Sequence, residues 1–119
     1  FLRWAGGKTW LTRTIDDFLP REFQNYHEPF LGGGSIFFHL KANGLLKGKS
    51  FLSDSNENLI NSYKVLKMKP EALVEELMQY KNTKKEYYQT RDIDYEDPIR
   101  SAARFIFLNR TSFNGIYRE

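Results

Sequence analysis

Three consecutive glycines, Gly32 to Gly34, connect a short apolar segment to a helix-like segment. Because glycine has no Cβ, backbone amides in such a loop can come close to a ligand. A carboxylate, Asp54, follows 22 residues after Gly32, at the end of a second apolar run. That offset is close to the ~20 residues at which an acidic side chain meets ribose hydroxyls in βαβ nucleotide-binding folds. The pattern predicts a site for a nucleoside-containing cofactor.

The glycine loop departs from the dinucleotide-binding pattern G-x-G-x-x-G, because Phe37 occupies the position of the third glycine. Glu28, just before the loop, favours a cofactor that carries an amine and a sulfonium over one that carries a pyrophosphate. S-adenosyl-L-methionine is such a cofactor. On the loop alone, a glycine-rich turn with a solvated Asp54 is an equal alternative. Asn56 could bind the same sugar or cap the helix that begins at Glu57.

The amino-terminal segment contains a Gly-Lys-Thr sequence at residues 7–9, which invites comparison with a phosphate-binding loop. The full pattern requires a glycine where Leu2 stands, and no strand precedes it, so we reject that interpretation. Trp4 can instead stack on a purine, and Lys8 can pair with a carboxylate such as that of methionine. The alternative is a tryptophan in the core and a lysine at a helix end.

The composition bounds the class of protein. The 119 residues suffice for one small domain but are few for a complete doubly wound enzyme, and the chain runs from Phe1 to Glu119, so we expect part of a longer polypeptide. The net charge of +3 is compatible with a polyanionic partner. The absence of cysteine excludes disulfides, thiolate zinc sites and a cysteine nucleophile. Two histidines, His27 and His39, are too few to suggest a metal site.

Hydrophobic periodicity predicts the start of an α/β fold, with strand, helix and strand followed by helices. No run of ~18 apolar residues and no signal peptide is visible, so we expect a cytoplasmic protein without a membrane span. The first predicted elements are a helix over 11–19, strands at 26–30 and 51–52, and between the strands a helix that ends at Asn43-Gly44. Further helices are predicted around 59–66, from Pro70 onward, and from Asp97-Pro98 to about Asn109. Residues 81–97 are predicted to form a loop or an irregular helix.

The carboxy-terminal segment from Arg110 to Arg118 mixes cations, an aromatic ring, an amide and a glycine. Such a loop suits nucleic acid, because arginine can pair with phosphate or guanine, and a phenylalanine can wedge between base steps. A polar turn after a helix is the commoner explanation of this composition.

Four ordered segments together resemble the Dam-type (D12 class) DNA adenine-N6 methyltransferases. They are FLRWAGGK at 1–8, EPFLGGGSIF at 28–37, SDSNENLI at 53–60, and LNR at 108–110 followed by FNG at 113–115 and Arg118. The resemblance implies an α/β fold with a partial Rossmann-like methyltransferase sheet. It implies an S-adenosylmethionine-binding part at residues 1–69 and, over residues 70–119, the start of a helical target-recognition region.

The resemblance also implies the roles of individual residues. The cofactor S-adenosyl-L-methionine would be held by Trp4, Lys8 and Asp54, in a pocket shaped by Glu28, Phe30, Gly32 and Gly34. The residues implied to contact double-stranded DNA are Arg3, Phe113, Asn114 and Arg118. No metal is implied, and the oligomeric state is left open.

The methyl-transfer motif of this family, a tetrapeptide of the Asp-Pro-Pro-Tyr type, does not occur in the chain. We expect it beyond Glu119, so no catalytic residue is predicted here and this stretch alone should be inactive. The implied reaction is site-specific methylation of adenine N6 in duplex DNA, at a flipped base. The alternatives are an amino-methyltransferase acting on cytosine N4 or on RNA, and a nucleic-acid-binding module without catalysis. The sequence does not identify the DNA recognition sequence or show whether the protein belongs to a restriction-modification system.

Overall fold

The computed structural model describes residues 2, 4 and 7–112. The chain forms two compact units, one of residues 6–55 and the other of residues 1–5 with 56–119. Helices and a small parallel sheet make up the described part, which is the α/β class predicted. The predicted domain boundary between residues 69 and 70 stays a prediction, because compactness does not identify the function of a segment.

The unit formed by residues 6–55 contains one strand–helix–strand motif. Its elements are two short 3-10 helices at Thr9–Arg13 and Ile15–Phe18, strand β1 at Tyr26–Glu28, helix α1 at Ser35–Ala42 and strand β2 at Ser50–Leu52. The two strands are parallel, with Tyr26 opposite Ser50 and Glu28 opposite Leu52. Both predicted strands and the predicted helix between them are therefore confirmed.

Two glycines in the left-handed backbone conformation lie just outside the two ends of helix α1. Gly34 precedes the helix with a φ of 77°, and Gly44 follows it with a φ of 70°. Side chains other than glycine rarely adopt such values, so these two positions define the length of the helix. Ile36 and Leu40 lie one turn apart and are buried, which fixes the inner face. The predicted stop at Asn43-Gly44 is confirmed.

The helix predicted over residues 11–19 is present as the two 3-10 helices. Neither contains a buried residue, and the ring of Phe18 is 79% exposed. The Thr12 hydroxyl donates to the carbonyl of Thr9 over 2.6 Å. Because short helices gain most of their stability from burying an apolar face, a stripe that stays exposed does not support a longer α-helix.

The other unit consists of four helices, three of which pack against the fourth. They are α2 at Glu57–Met68, α3 at Pro70–Met78, α4 at Lys84–Arg91 and α5 at Pro98–Thr111. Helix α5 packs against each of the other three. The buried apolar cluster at their centre comprises Val65, Leu73, Ala102, Ala103 and Ile106.

Side-chain caps fix where three of these helices begin. Asn56 accepts a hydrogen bond from the amide of Leu59 at 3.0 Å, and Asp97 accepts one from the amide of Arg100 at 2.9 Å. Both caps agree with the predicted helix starts. Thr83 caps α4 in the same way, within the stretch predicted to be a loop or an irregular helix. Among the helices of the described residues, none is both long and apolar enough to cross a lipid bilayer.

Candidate functional site

The glycine loop and Asp54 meet at the carboxyl ends of the two parallel strands. Asp54 Oδ2 accepts a hydrogen bond from the amide of Gly32 at 3.0 Å. The sheet ladder continues past the strands, because the Leu31 amide donates to the Ser53 carbonyl at 3.0 Å and the Ser53 amide donates to the Glu28 carbonyl at 2.9 Å. Two segments predicted to form one site are therefore in direct contact, although the cofactor roles of their residues stay predictions.

Glu28 places a carboxylate in the interior just before this loop. Only 8% of the residue is exposed, and its Oε2 accepts a 2.7 Å hydrogen bond from the hydroxyl of Tyr26. Burial raises the pKa of Tyr26, and the hydrogen bond to Glu28 and its negative charge raise it further. No lysine, arginine or histidine among residues 7–112 forms an ion pair with Glu28. A buried carboxylate without a counter-charge is costly, which makes this position suited to a cationic ligand.

Lys8 reaches the same loop from the amino-terminal segment. Its Nζ donates a 2.8 Å hydrogen bond to the carbonyl of Phe30, while the Phe30 side chain is itself exposed. One residue further on, the hydroxyls of Thr9 and Ser35 lie 3.0 Å apart and tie the segment to the start of α1. An ammonium has three N–H donors, and the bond to Phe30 uses one of them. Lys8 thus lies beside the glycine loop, and its predicted role in binding a cofactor carboxylate stays a prediction.

Trp4, the remaining predicted cofactor residue that the structure describes, belongs to the helical unit. Its ring lies 6.1 Å from the ring of Phe105 at an interplanar angle of 48°. This contact is of the kind expected for a tryptophan in a core, and the cofactor role of Trp4 stays a prediction. The four predicted DNA-binding residues lie outside the described residues: Arg3, Phe113, Asn114 and Arg118.

The two histidines take part in local contacts of the first unit. The ring of His27 stacks on Phe51 with centroids 4.6 Å apart, and His39 Nε2 lies 3.1 Å from Asp16 Oδ1. The first contact links neighbouring strands, and the second attaches the second 3-10 helix to α1. Both are contacts between elements of this unit.

Helix α4 presents a combination of cations and aromatic rings that the sequence analysis did not identify as a site. Four of its residues, Lys84, Tyr87, Tyr88 and Arg91, line an open cavity of about 490 Å³, and we call them the α4 surface. The Arg91 guanidinium lies 5.1 Å from the centre of the Tyr88 ring, and the two tyrosine rings meet edge to face. Guanidinium and ammonium groups bind phosphates, and exposed rings stack on bases.

The signal that could have found this surface was present in the sequence, where two lysines, two adjacent tyrosines and an arginine fall within positions 84–91. The cavity also receives Thr111 and Ser112 from the end of α5, which is distant in sequence. Only the packing of α4 against α5 brings these two segments together.

Comparison with known proteins shows the family to which this sequence is similar. A sequence model of the D12 class N6 adenine-specific DNA methyltransferases matches residues 4–119. The chain is 39% identical to the type II methyltransferase M.MjaIII of Methanocaldococcus jannaschii, with 99% of this chain and 47% of the relative covered. It is 37% identical to the type II methyltransferase M1.LlaDCHI of Lactococcus lactis subsp. cremoris, with 99% and 43% covered.

A DNA adenine methylase of Vibrio cholerae is 36% identical, again with 99% of this chain and 43% of the relative covered. The chain thus spans less than half the length of these curated relatives. The family match extends over residues 4–119 and so includes three of the four segments on which the resemblance was based in full, and the first segment from Trp4 onward. This chain belongs to the D12 class of N6 adenine-specific DNA methyltransferases.

Proposed function

We propose that the protein containing this chain transfers a methyl group from S-adenosyl-L-methionine to N6 of adenine at specific sites in double-stranded DNA. Family membership supports the reaction class. The observation that carries the cofactor assignment is the buried Glu28 carboxylate, which lacks an ion-pair partner in the described part of the chain and stands next to the glycine loop. A ligand with an amine and a sulfonium would place positive charge beside this carboxylate.

The chemistry of the neighbouring groups fits the rest of that cofactor. Asp54, at the end of β2, is suited to accept hydrogen bonds from ribose hydroxyls, and its contact with Gly32 keeps it at the loop. Lys8 is suited to bind the methionine carboxylate with its remaining donors. The exposed ring of Phe30 offers an apolar wall for the adenine, and Gly32 and Gly34 leave room for close approach of the backbone. When bound, the cofactor supplies an electrophilic methyl group.

The finer architecture follows from the same assignment. We infer that β1 and β2 belong to a Rossmann-like methyltransferase sheet, that residues 1–69 are its cofactor-binding part, and that residues 70–119 begin a helical target-recognition region. The protein would act in the cytoplasm. The Asp-Pro-Pro-Tyr type motif is absent from these 119 residues, so groups that accept hydrogen bonds from the target amine are proposed to come from elsewhere in the protein.

Duplex DNA is the proposed partner of the helical unit. The α4 surface combines two cations with two aromatic rings around an open cavity, which suits a sugar-phosphate backbone. Ser112 lines that cavity, and in the chain Phe113 and Asn114 follow directly after it, with Arg118 six residues beyond it. We therefore propose that these three residues and Arg3 contact DNA as well, with Arg118 and Asn114 reading base edges.

The cofactor assignment can be tested by replacing Glu28 with glutamine in the full-length protein. This change removes the negative charge and keeps the shape, so we expect the dissociation constant of S-adenosylmethionine, measured by calorimetry, to rise about 5- to 150-fold, the equivalent of about 1–3 kcal/mol. Glu22→Gln is the matched control, because Glu22 is an exposed glutamate of the same unit. Equal affinities for both variants would remove Glu28 from the site.

The reaction can be tested with tritium-labelled S-adenosylmethionine and duplex oligonucleotides that contain or lack GATC. Label in N6-methyladenine supports the proposal. Label in N4-methylcytosine, or in RNA only, would identify the alternative amino-methyltransferase. Binding to DNA without label in any base would identify a nucleic-acid-binding protein without catalysis.

A further inference from the structure

Arg104 is a buried cation of helix α5 that binds the end of another helix. The residue is 9% exposed, its Nε donates to the carbonyl of Thr90 at 3.1 Å, and its Nη2 donates to the carbonyl of Arg91 at 2.8 Å. Asp94 Oδ1 lies 3.9 Å from Nη2, but the Asp94 side chain is fully exposed. The principal partners of the guanidinium are therefore the last two carbonyls of α4.

The physical chemistry of a helix end explains this pairing. The last four carbonyls of an α-helix have no partner within the helix, and the partial negative charge at that end favours a nearby cation. A buried guanidinium in turn requires hydrogen-bond acceptors, because its desolvation is otherwise uncompensated. The Thr90 carbonyl also accepts from the amide of Ile93 at 3.2 Å. If α4 moved away from α5, the guanidinium would lose both of its carbonyl acceptors and the Arg91 carbonyl would lose this donor. Arg104 therefore resists any displacement of the carboxy-terminal end of α4.

Besides these hydrogen bonds, helix α4 is held by the Thr83 cap at its other end and by its packing against α5. It has eight residues, of which Thr90 alone is buried, and helices of this length are marginal without tertiary contacts. Its sequence is polar, with lysine, glutamate, glutamine and arginine among the eight. The Arg104 hydrogen bonds fall on Thr90 and Arg91, in the same turn that carries the α4-surface cation Arg91. Arg91 and the Tyr88 ring that its guanidinium approaches thus lie in the last turn of α4, to which Arg104 is hydrogen-bonded.

We propose that Arg104 is a positioning residue for DNA binding. It fixes the last turn of α4 so that Arg91 and Tyr88 face the cavity, and it acts through them, since its own guanidinium is buried. This inference rests on the proposed function, in which the α4 surface contacts the phosphates of duplex DNA.

The test is the salt dependence of DNA binding by the full-length protein. Each phosphate contact contributes about 0.9 to the slope of the logarithm of the association constant against the logarithm of the salt concentration. We expect Arg91→Ala and Arg104→Met each to lower this slope by about 1. The double variant should also lower it by about 1, because both changes remove the same contact. A loss of global stability alone would not change the slope.

Arg100→Met is the matched control. Arg100 lies one turn earlier on α5, its side chain is 59% exposed, and it pairs with Glu76 at 3.9 Å, so its loss should leave the slope unchanged. Hydrogen exchange provides a second measurement: amides of residues 84–91 should exchange faster in Arg104→Met than in Arg100→Met, with α2 and α3 unaffected.

The outcomes separate the inference from the function on which it rests. If Arg91→Ala lowers the slope but Arg104→Met does not, or if the two effects add in the double variant, the positioning role is wrong and the α4 surface stands. If Arg91→Ala leaves the slope unchanged, Arg91 does not contact a phosphate, and both this proposed contact and the positioning role of Arg104 are wrong. Should Arg104→Met not fold, Arg104→Lys, which can bond one carbonyl at a time, is judged by the same comparison.

Discussion

The hydroxyl of Tyr26 and the carboxylate of Glu28 form a 2.7 Å hydrogen bond within strand β1. Residues two apart on a strand point to the same face, so the tyrosine stands beside the carboxylate along the sheet. The bond restricts the orientation of a carboxylate that we propose to bind the cationic part of S-adenosylmethionine. Tyr26 also stacks on Phe37 of α1, which holds its ring in place.

Loss of the Tyr26 hydroxyl should weaken cofactor binding without removing the charge. For Tyr26→Phe we expect the dissociation constant of S-adenosylmethionine to rise about 3- to 10-fold, since a hydrogen bond to a charged group contributes about 1.5–3 kcal/mol and only part of this concerns the ligand. Calorimetry measures the change. Tyr88→Phe, a substitution of an exposed tyrosine in the other unit, should have no effect on the cofactor. A dissociation constant of Tyr26→Phe equal to that of the control would show that the bond is irrelevant to binding.

Removal of the Asp54 carboxylate should reduce cofactor affinity by about 1–3 kcal/mol, because two ribose hydroxyls would lose an acceptor. Asp54→Ala is compared with Asp17→Ala, an exposed aspartate of the same unit. Asp54 also accepts from the Gly32 amide, so chemical denaturation is needed to measure any loss of stability separately. Unchanged affinity in a folded Asp54→Ala protein would remove this residue from the site.

The core of the helical unit should be sensitive to truncation at Leu73. This side chain is 1% exposed and belongs to the apolar cluster around α5, so Leu73→Ala should lower the free energy of unfolding by about 2–5 kcal/mol. Its neighbour Val74 is 51% exposed, and Val74→Ala should change stability by less than about 0.5 kcal/mol. Urea denaturation of both variants gives the comparison, and similar losses would contradict the assigned packing.

The stability of the protein should depend on Tyr80 at alkaline pH. Burial raises the pKa of Tyr80 from an ordinary value near 10 to about 12. The charge of Tyr95 and a hydrogen bond with it are smaller contributions in the same direction. The folded state thus favours the neutral phenol. This contribution is complete below about pH 10 and is lost as the pH rises through about 12.

Tyr80→Phe cannot ionise, so the free energy difference between it and the unchanged protein should vary between pH 10 and 12 and stay constant below pH 10. Urea denaturation at several pH values tests this. A difference that is the same at every pH would show that Tyr80 titrates normally in the folded state.

The two strands and helix α1 of the first unit were predictable because local signals agreed with the final packing. Gly34 and Gly44 define α1, and the order of apolar runs indicated two strands around it. The contact between Asp54 and the glycine loop followed from parallel strands, whose carboxyl ends lie at the same edge. The bond between Tyr26 and Glu28 could also have been anticipated from strand alternation, since it needs only a spacing of two.

Helix α4 shows why the rest could not be predicted. Its residues have no apolar periodicity, and its most specific anchor is Arg104, 13 residues beyond Arg91 in the sequence. A buried arginine cannot be distinguished from a solvated one by pattern alone. The same limit applies to Phe18, whose helical spacing suggested a buried face that the structure leaves exposed.

The main-chain ladder that runs beyond the strands has a consequence for binding thermodynamics. Because Leu31 and Ser53 are paired through their backbones and the Gly32 amide donates to Asp54, the main chain that leads into α1 is held by hydrogen bonds within the protein itself. The entropy of ordering this segment is lost during folding and not at association. Cofactor affinity should therefore reflect direct contacts with little offset from loop closure, and the uptake rate should be limited by diffusion and desolvation and not by a conformational step.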